Sequence, residues 1–346
     1  MKIAEYEISR AAAPFIIAEM SGNHNQSLDR ALKIVEVAAE CGAHAIKLQT
    51  YTPDTLTIDH RGGLFDITDK NSLWNGRNLY DLYKEAMTPW EWHKPIFEHA
   101  AKLGILAIST PFDDTAVDLL DSLGAPAHKV ASFENNHIPL LKKVARSGKP
   151  VIMSTGVSTL AGISEAVETL RSEGCKDLVL LKCTSTYPAT PLNTNLQTIP
   201  HLRSMFHTEV GLSDHTMGVG VSVASIALGA TVIEKHFTLD RSEGGVDSAF
   251  SMEPHELKLL VSETRQAWEA LGEVKYGILP DEQKSLNFKR SIYIAEDIEA
   301  GETFTEKNVR VIRPGDGLHP RFYEQIIGKV SKQNLSKGTP FIIDFI

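Results

Sequence analysis

Residues 208–237 read TEVGLSDHTMGVGVSVASIALGATVIEKHF, and their reading decides the fold. Two short apolar runs, TEVGLSD (208–214) and TVIEKHF (231–237), flank one helix-length segment. Each run has the length of a buried strand. Each reaches a histidine at or just past its C-terminal end, His215 and His236. Strand, helix and strand in this order imply a parallel pair. Both imidazoles then project from one rim of a sheet onto one pocket, where a metal ion could sit. Asp214 and Lys235 stand beside them and strengthen the expectation of a site.

Six further runs of the same kind precede this pair: FIIAEMS (15–21), HAIKLQT (44–50), ILAISTP (105–111), AHKVASF (127–133), PVIMSTG (150–156) and LVLLKCTS (178–185). Between them lie segments with i, i+3, i+4 apolar spacing, such as LDRALKIVEVAAECG and ISEAVETLRSEG. Many end in a glycine suited to a helix C-cap: Gly42, Gly104, Gly124, Gly148 and Gly174. Eight strand-helix units predict a closed (β/α)8 TIM barrel of about 275 residues. No GxGxxG follows the first strand, which disfavours an open, doubly wound sheet.

One connection breaks the rhythm. Residues 52–87 separate the second strand from its helix and read as a long binding or lid loop with several aromatics: Phe65, Trp74, Tyr80 and Tyr83. After residue 275 the pattern changes. The expected organisation is a barrel over 1–275, a polar linker over 276–288 and a small β-rich domain over 289–346. That last domain has nine basic and eight acidic residues, so the net charge of −9 belongs to the barrel. A domain this small has little core of its own, so it is expected to pack on a barrel.

The acidic balance, with a pI near 5.8, excludes a nucleic-acid binder, which needs a basic face. No apolar run reaches the length of a membrane span. The N-terminus lacks the charged and apolar regions of a secretory signal. Cys41, Cys175 and Cys183 have no CxxC spacing and suit a reducing cytoplasm.

Active sites of such barrels lie at the C-terminal strand ends. The polar residues there are Glu19, Ser21, Asn23 and His24; Lys47 and Gln49, two apart and on one face; Ser109 and Thr110; Lys129, Ser132 and Glu134; Ser154 and Thr155; Lys182, Thr184, Ser185 and Tyr187; Ser213; and Glu234. Two interior lysines, Lys47 and Lys129, among Ser and Thr hydroxyls suit a phosphate or a phosphorylated acid. Gly156 would let backbone N–H groups approach such an anion. Any single strand-end serine also reads as a helix cap, and an interior lysine also reads as a Schiff-base former. Glu19 and Glu134 are the acid/base candidates; Glu19 reads equally as a partner orienting a histidine. Two histidines with open positions suit a Lewis acid better than a closed structural zinc site.

The stretches IAEMSGNHNQSLDRALKIV, AIKLQTYTPDTLT, STPFDDTAVDLLDSLGAPAHKVASFE, GKPVIMSTG, CTSTYPA, GLSDHT and ATVIEKHFTLDRSEGGVDSAFSMEP run in the order found in the sialic acid synthase family. The chain resembles these enzymes, which condense phosphoenolpyruvate with an N-acetylated sugar. The segment FKRSIYIAEDIEAGETFTEKNVRVIRPGDGLHP resembles their C-terminal antifreeze-like SAF domain.

The resemblance implies that His215 and His236 bind Mn²⁺ or Mg²⁺. It implies that Lys47, Thr110, Lys129, Ser132, Ser154, Ser185 and Ser213 hold phosphoenolpyruvate, and that Gln49, Glu134, Tyr187 and Asp247 hold the open-chain sugar. Arg313 would reach the sugar from the partner chain of a domain-swapped homodimer. Phe133 beside Glu134 and the aromatic 52–87 loop resemble the pseudaminic acid synthases of this family, whose sugar is a 6-deoxy diacetamido one. N-acetylneuraminate and legionaminic acid synthases are the alternatives within the family. Outside it stand a metal-dependent barrel aldolase and a binding module.

Overall fold

The computed structural model describes residues 1–346. Eight parallel strands close into a barrel in sequence order: β1 (Phe15–Glu19), β2 (Ala45–Thr50), β3 (Leu106–Pro111), β4 (His128–Val130), β5 (Val151–Ser154), β6 (Leu178–Cys183), β7 (Glu209–Ser213) and β8 (Val232–His236). β8 pairs back onto β1 and seals the sheet. The strands are shorter than the apolar runs that predict them. β4 keeps three residues, because Ala131–Phe133 leave the ladder for a turn.

Helices fill the connections for local reasons. Ser27, Asp113 and Thr159 cap Leu28–Glu40, Asp114–Ser122 and Leu160–Ser172 by accepting first-turn N–H groups. The five predicted C-terminal glycines all take positive φ, between 72° and 102°.

Side-chain alternation places the site. Positions facing outward, such as Ile16, Ala18, Ile46 and Leu48, pack on the helices. Positions facing inward are apolar at the barrel floor: Phe15, Ile17, Ala45, Ile108, Ile152, Val179 and Val232, with Ile3 and Ile8 of the N-terminal segment packed among them. The same inward faces become polar at the top, with Glu19, Lys47, Lys129, Ser154, Ser213, Glu234 and His236. Strand register sets His236 opposite Glu19 and Glu19 opposite Lys47.

The 52–87 connection is not the unstructured loop its sequence suggests. It contains the helices Pro53–Leu56 and Leu79–Ala86, the latter capped by Asn78. Asn78 Nδ2 also donates to His60 O and Asp66 Oδ1, tying the segment together.

The chain divides into two compact units, Met1–Gly272 and Glu273–Ile346. In the second, Ser291–Ile294 pairs antiparallel with Val309–Ile312. This unit has a core of its own after all, built from Ile292, Ile294, Ile298, Phe304, Val309, Ile326, Leu335, Phe341 and Phe345. Arg313 is exposed on its turn. No helix is long and apolar enough to cross a membrane.

Candidate active site

A cleft of about 370 Å³ opens at the C-terminal ends of the strands. A recess of about 640 Å³ beside Arg10 and Trp268 is larger. Its lining lacks the converging buried ions of the cleft, which therefore carries the chemistry. Of the predicted residues, Glu19, Lys47, Gln49, Lys129, Ser132, Glu134, Ser154, Tyr187, Ser213, His215, His236 and Asp247 line it together. Thr110 lies against Lys47, its hydroxyl 3.2 Å from Nζ. Ser185 lies behind Cys183, Oγ to Sγ 3.5 Å. Arg313 belongs to the second unit.

The floor is a buried ionic cluster. Lys47 Nζ stands 2.7 Å from Glu19 Oε2 and 3.8 Å from Glu234 Oε1. Lys129 Nζ stands 3.7 Å from the same Glu234 oxygen and donates to Ser154 Oγ at 2.8 Å. Ser213 Oγ donates to Glu234 at 3.4 Å. Burial pushes the Glu19 carboxyl up to about 7 against the pull of Lys47, and Glu234 adds to the rise. Burial likewise lifts Glu134 to about 7 against Lys129, and lowers Lys129 despite Glu234. Several oxygens stay unspent. Glu134 Oε2 and Glu234 Oε2 are buried without a hydrogen-bond partner, and Glu19 Oε2 meets Lys47 as an ion pair outside hydrogen-bonding angles.

The two histidine rings meet edge-on with centroids 5.4 Å apart, and Tyr187 and Phe250 pack on them. The His215 Nδ1–H donates to Thr184 O at 3.0 Å. Burial opposes charge on this ring, but the neighbouring Cys183 thiol outweighs it and raises the imidazole above its ordinary value. Burial, reinforced by His215, holds His236 well below the usual imidazole range and keeps it neutral. Its Nδ1 is buried without a hydrogen-bond partner, 3.6 Å from Asp247 Oδ2. A neutral, orphaned imidazole nitrogen beside a second imidazole fits a divalent cation.

An apolar wall completes the cleft. Leu56, Ile67, Trp74, Leu79, Leu82 and Tyr83 of the 52–87 segment line it. Trp74 Nε1 donates to Val246 O at 2.9 Å and fastens the segment over the mouth. Tyr80 instead turns to Asp54, and Phe65 packs on His60. Phe133 sits on the rim, 59% exposed.

A family model for NeuB matches residues 34–276, and one for the SAF domain matches residues 289–343. The chain belongs to the NeuB family. It is 46% identical to the pseudaminic acid synthase of Campylobacter jejuni over 94% of both chains. It is 41% identical to that of Helicobacter pylori, over 96% of this chain and 98% of the relative. Among solved structures, the N-acetylneuraminic acid synthetase of Leptospira borgpetersenii superposes with a TM-score of 0.72 at 32% identity. That match covers 82% of this chain and 94% of the other.

Three sequence expectations for this NeuB chain change in the structure. Asp214 and Lys235 do not face the cleft. They pair with each other at 2.9 Å behind the sheet, because strand alternation sends the neighbours of His215 and His236 outward. The Gly156 N–H is not free for an anion, since it donates to Ser132 Oγ at 3.1 Å. A Cβ at Gly156 would meet Ser185 Oγ at 2.2 Å, so the glycine serves close packing of the strand ends. Lys182 turns aside to Thr184 Oγ1 at 2.7 Å.

The Glu253, His255 and Glu256 trio is a second place where carboxylates and a histidine meet. Arg241 already occupies both carboxylates, at the start of helix Pro254–Leu271. Sequence reasoning left Glu234 without a role. Its place two residues before His236, on the same strand face, was the available signal. Phe250 ends a single 3-10 turn, Ser248–Phe250, too short to show a periodicity that would mark it.

Proposed function

We propose that the chain condenses phosphoenolpyruvate with 2,4-diacetamido-2,4,6-trideoxy-L-altrose and water, giving pseudaminic acid and phosphate. The observation that carries this reading is one cleft joining a lysine-serine floor, a histidine pair and an apolar wall. Lys47 and Lys129, with Ser132, Ser154 and Ser213, supply fixed positive charge and hydroxyl donors for the phosphate and carboxylate of phosphoenolpyruvate. Thr110 and Ser185 support them from just behind. Gln49, Tyr187 and Asp247 hold the open-chain sugar, and Leu56, Ile67 and Trp74 shelter its methyl group.

His215 and His236 would hold a divalent cation, Mn²⁺ or Mg²⁺, which when bound polarises the sugar's aldehyde. C3 of phosphoenolpyruvate attacks C1 of the sugar, and its π pair becomes the new C–C bond. Glu134, held partly protonated near neutrality by burial, gives a proton to the former aldehyde oxygen. Water adds to the cationic C2 and loses a proton, for which Glu19 is the accepting carboxylate. The C2–O bond to phosphate then breaks with its electron pair on the phosphate, the C2 hydroxyl gives its proton to that departing phosphate, and the ketone remains.

Barrel 1–275, linker 276–288 and SAF domain 289–346 are our working boundaries. We place the reaction in the cytoplasm, which suits three unpaired thiols. Arg313 acts in trans within a homodimer, so mixed Arg313→Ala and His236→Ala chains regain activity through hybrid dimers. Absence of rescue despite subunit exchange removes the swap.

The decisive assay is phosphate release from phosphoenolpyruvate against a panel of N-acetylated sugars. The 6-deoxy diacetamido sugar is expected to exceed N-acetylmannosamine in kcat/KM by roughly ten- to a hundredfold, since a hydroxymethyl against the apolar wall must be desolvated. Equal values, or a preference for N-acetylmannosamine, assign the chain to the sialic acid branch. Product without phosphate release assigns a simple aldolase.

A further inference from the structure

The turn after β1 carries a serine where the backbone is left-handed. Ser21 has a φ of 47°, a region that glycine enters freely and an L side chain rarely does. Its side chain is buried and lines the cleft. Ser21 Oγ donates to Asp247 Oδ2 and accepts from Gln49 Nε2 at 3.0 Å. The same amide nitrogen donates to Glu19 Oε1 at 2.9 Å. One hydroxyl therefore joins the turn after β1, strand β2 and the loop after β8.

This bonding has a chemical consequence. Both N–H bonds of Gln49 are spent, one on Glu19 and one on Ser21, so Oε1 is the atom left for a ligand. Asp247 has one oxygen held by Ser21 and the other free. The open atoms at this end of the cleft are two acceptors. A sugar offers donors to such a pair, through its hydroxyls and its acetamido N–H groups. Phosphoenolpyruvate is an acceptor itself and is held by the lysines. A side chain kept in an unfavourable backbone region with its hydroxyl fully engaged inside a cleft points to a functional constraint.

We propose that Ser21 is a positioning residue for sugar recognition, fixing the Gln49 amide and the Asp247 carboxylate as an acceptor pair aimed at the sugar's hydroxyl and acetamido donors. This rests on the sugar-condensing reading above.

Two variants separate hydroxyl from backbone. Ser21→Ala removes the hydroxyl and keeps a side chain in the left-handed region. Ser21→Gly removes the hydroxyl and relieves the backbone. Phosphate release is measured with each substrate varied while the other saturates, beside the thermal midpoint.

Both variants are expected to lose roughly ten- to a hundredfold in kcat/KM for the sugar, mostly through KM. KM for phosphoenolpyruvate stays within about twofold, and Ser21→Gly melts no lower than wild type. A sugar kcat/KM within twofold of wild type in Ser21→Gly overturns the proposal. So does an equal loss for both substrates. A wild-type chain that releases no phosphate with any sugar overturns the parent reading, and this inference with it.

Discussion

Two clusters of buried charge lie on opposite faces of the barrel sheet and have opposite characters. Behind the sheet, Asp214 and Lys235 form a closed set. Asp214 accepts from Lys235 Nζ, Ser222 Oγ, Thr216 N and Thr216 Oγ1, all within 2.9 Å, and Lys235 also donates to Thr216 O at 2.7 Å. In front of the sheet, Lys47 pairs with Glu19 at 2.7 Å, but both Lys47 and Lys129 stand 3.7–3.8 Å from Glu234, and Glu234 Oε2 and Glu134 Oε2 have no hydrogen-bond partner. A buried ion with every bond made is scaffold. A buried ion with bonds to spare is held ready for a ligand. Here the scaffold set fixes the residues on either side of His215, and so serves the open set indirectly.

The sharpest test of this contrast is on the open side. His236→Ala should reduce turnover by a thousandfold or more, on the order expected for removing a main electrostatic contact. It should still melt within a few degrees of wild type. Activity near wild type after chelation and metal add-back would show that the cleft does not use this nitrogen.

The next test sets the two clusters against each other. Asp214→Ala leaves a buried lysine unpaired and should cost about 3 kcal/mol or more of barrel stability in urea denaturation. Glu234→Gln should leave stability within about 1 kcal/mol while turnover falls about a hundredfold. The contrast collapses if the two variants exchange these phenotypes.

The smallest effect concerns pH. Burial raises Glu134 to about 7 in the folded chain, above its ordinary 4.5. The fold therefore favours the neutral carboxyl. That contribution is fully present below about 4.5 and is lost as pH rises through about 7. Glu134→Gln cannot ionise, so it should gain roughly 1–3 kcal/mol relative to wild type between these limits. A difference that does not change with pH would mean the carboxyl is solvated rather than held.

Much of the barrel is legible in the chain, because strand and helix periods are local properties. TEVGLSD and TVIEKHF announce strands through their own apolar content, and Gly104 or Gly148 announces a helix end through its own φ. The rim position of Lys47, Lys129, Ser154, Ser213, His215 and His236 follows from the same local reading plus one rule, that parallel strands end together. Which of these groups touch does not follow. Glu234 becomes the hub of two lysines, and Ser21 the link from Gln49 to Asp247, through barrel closure and strand register. Those join residues as far as 226 positions apart.

The same limit explains the errors. Asp214 and Lys235 look like site residues because they adjoin histidines in sequence, yet a strand sends neighbours to opposite faces. Trp74 and Tyr80 look alike in an aromatic segment, yet only Trp74 finds a carbonyl across the mouth. Residue type and spacing fix which chemistry the chain carries. Burial and partnering, which arise when distant segments meet, fix which of those groups are consumed by the scaffold and which stay open to a substrate.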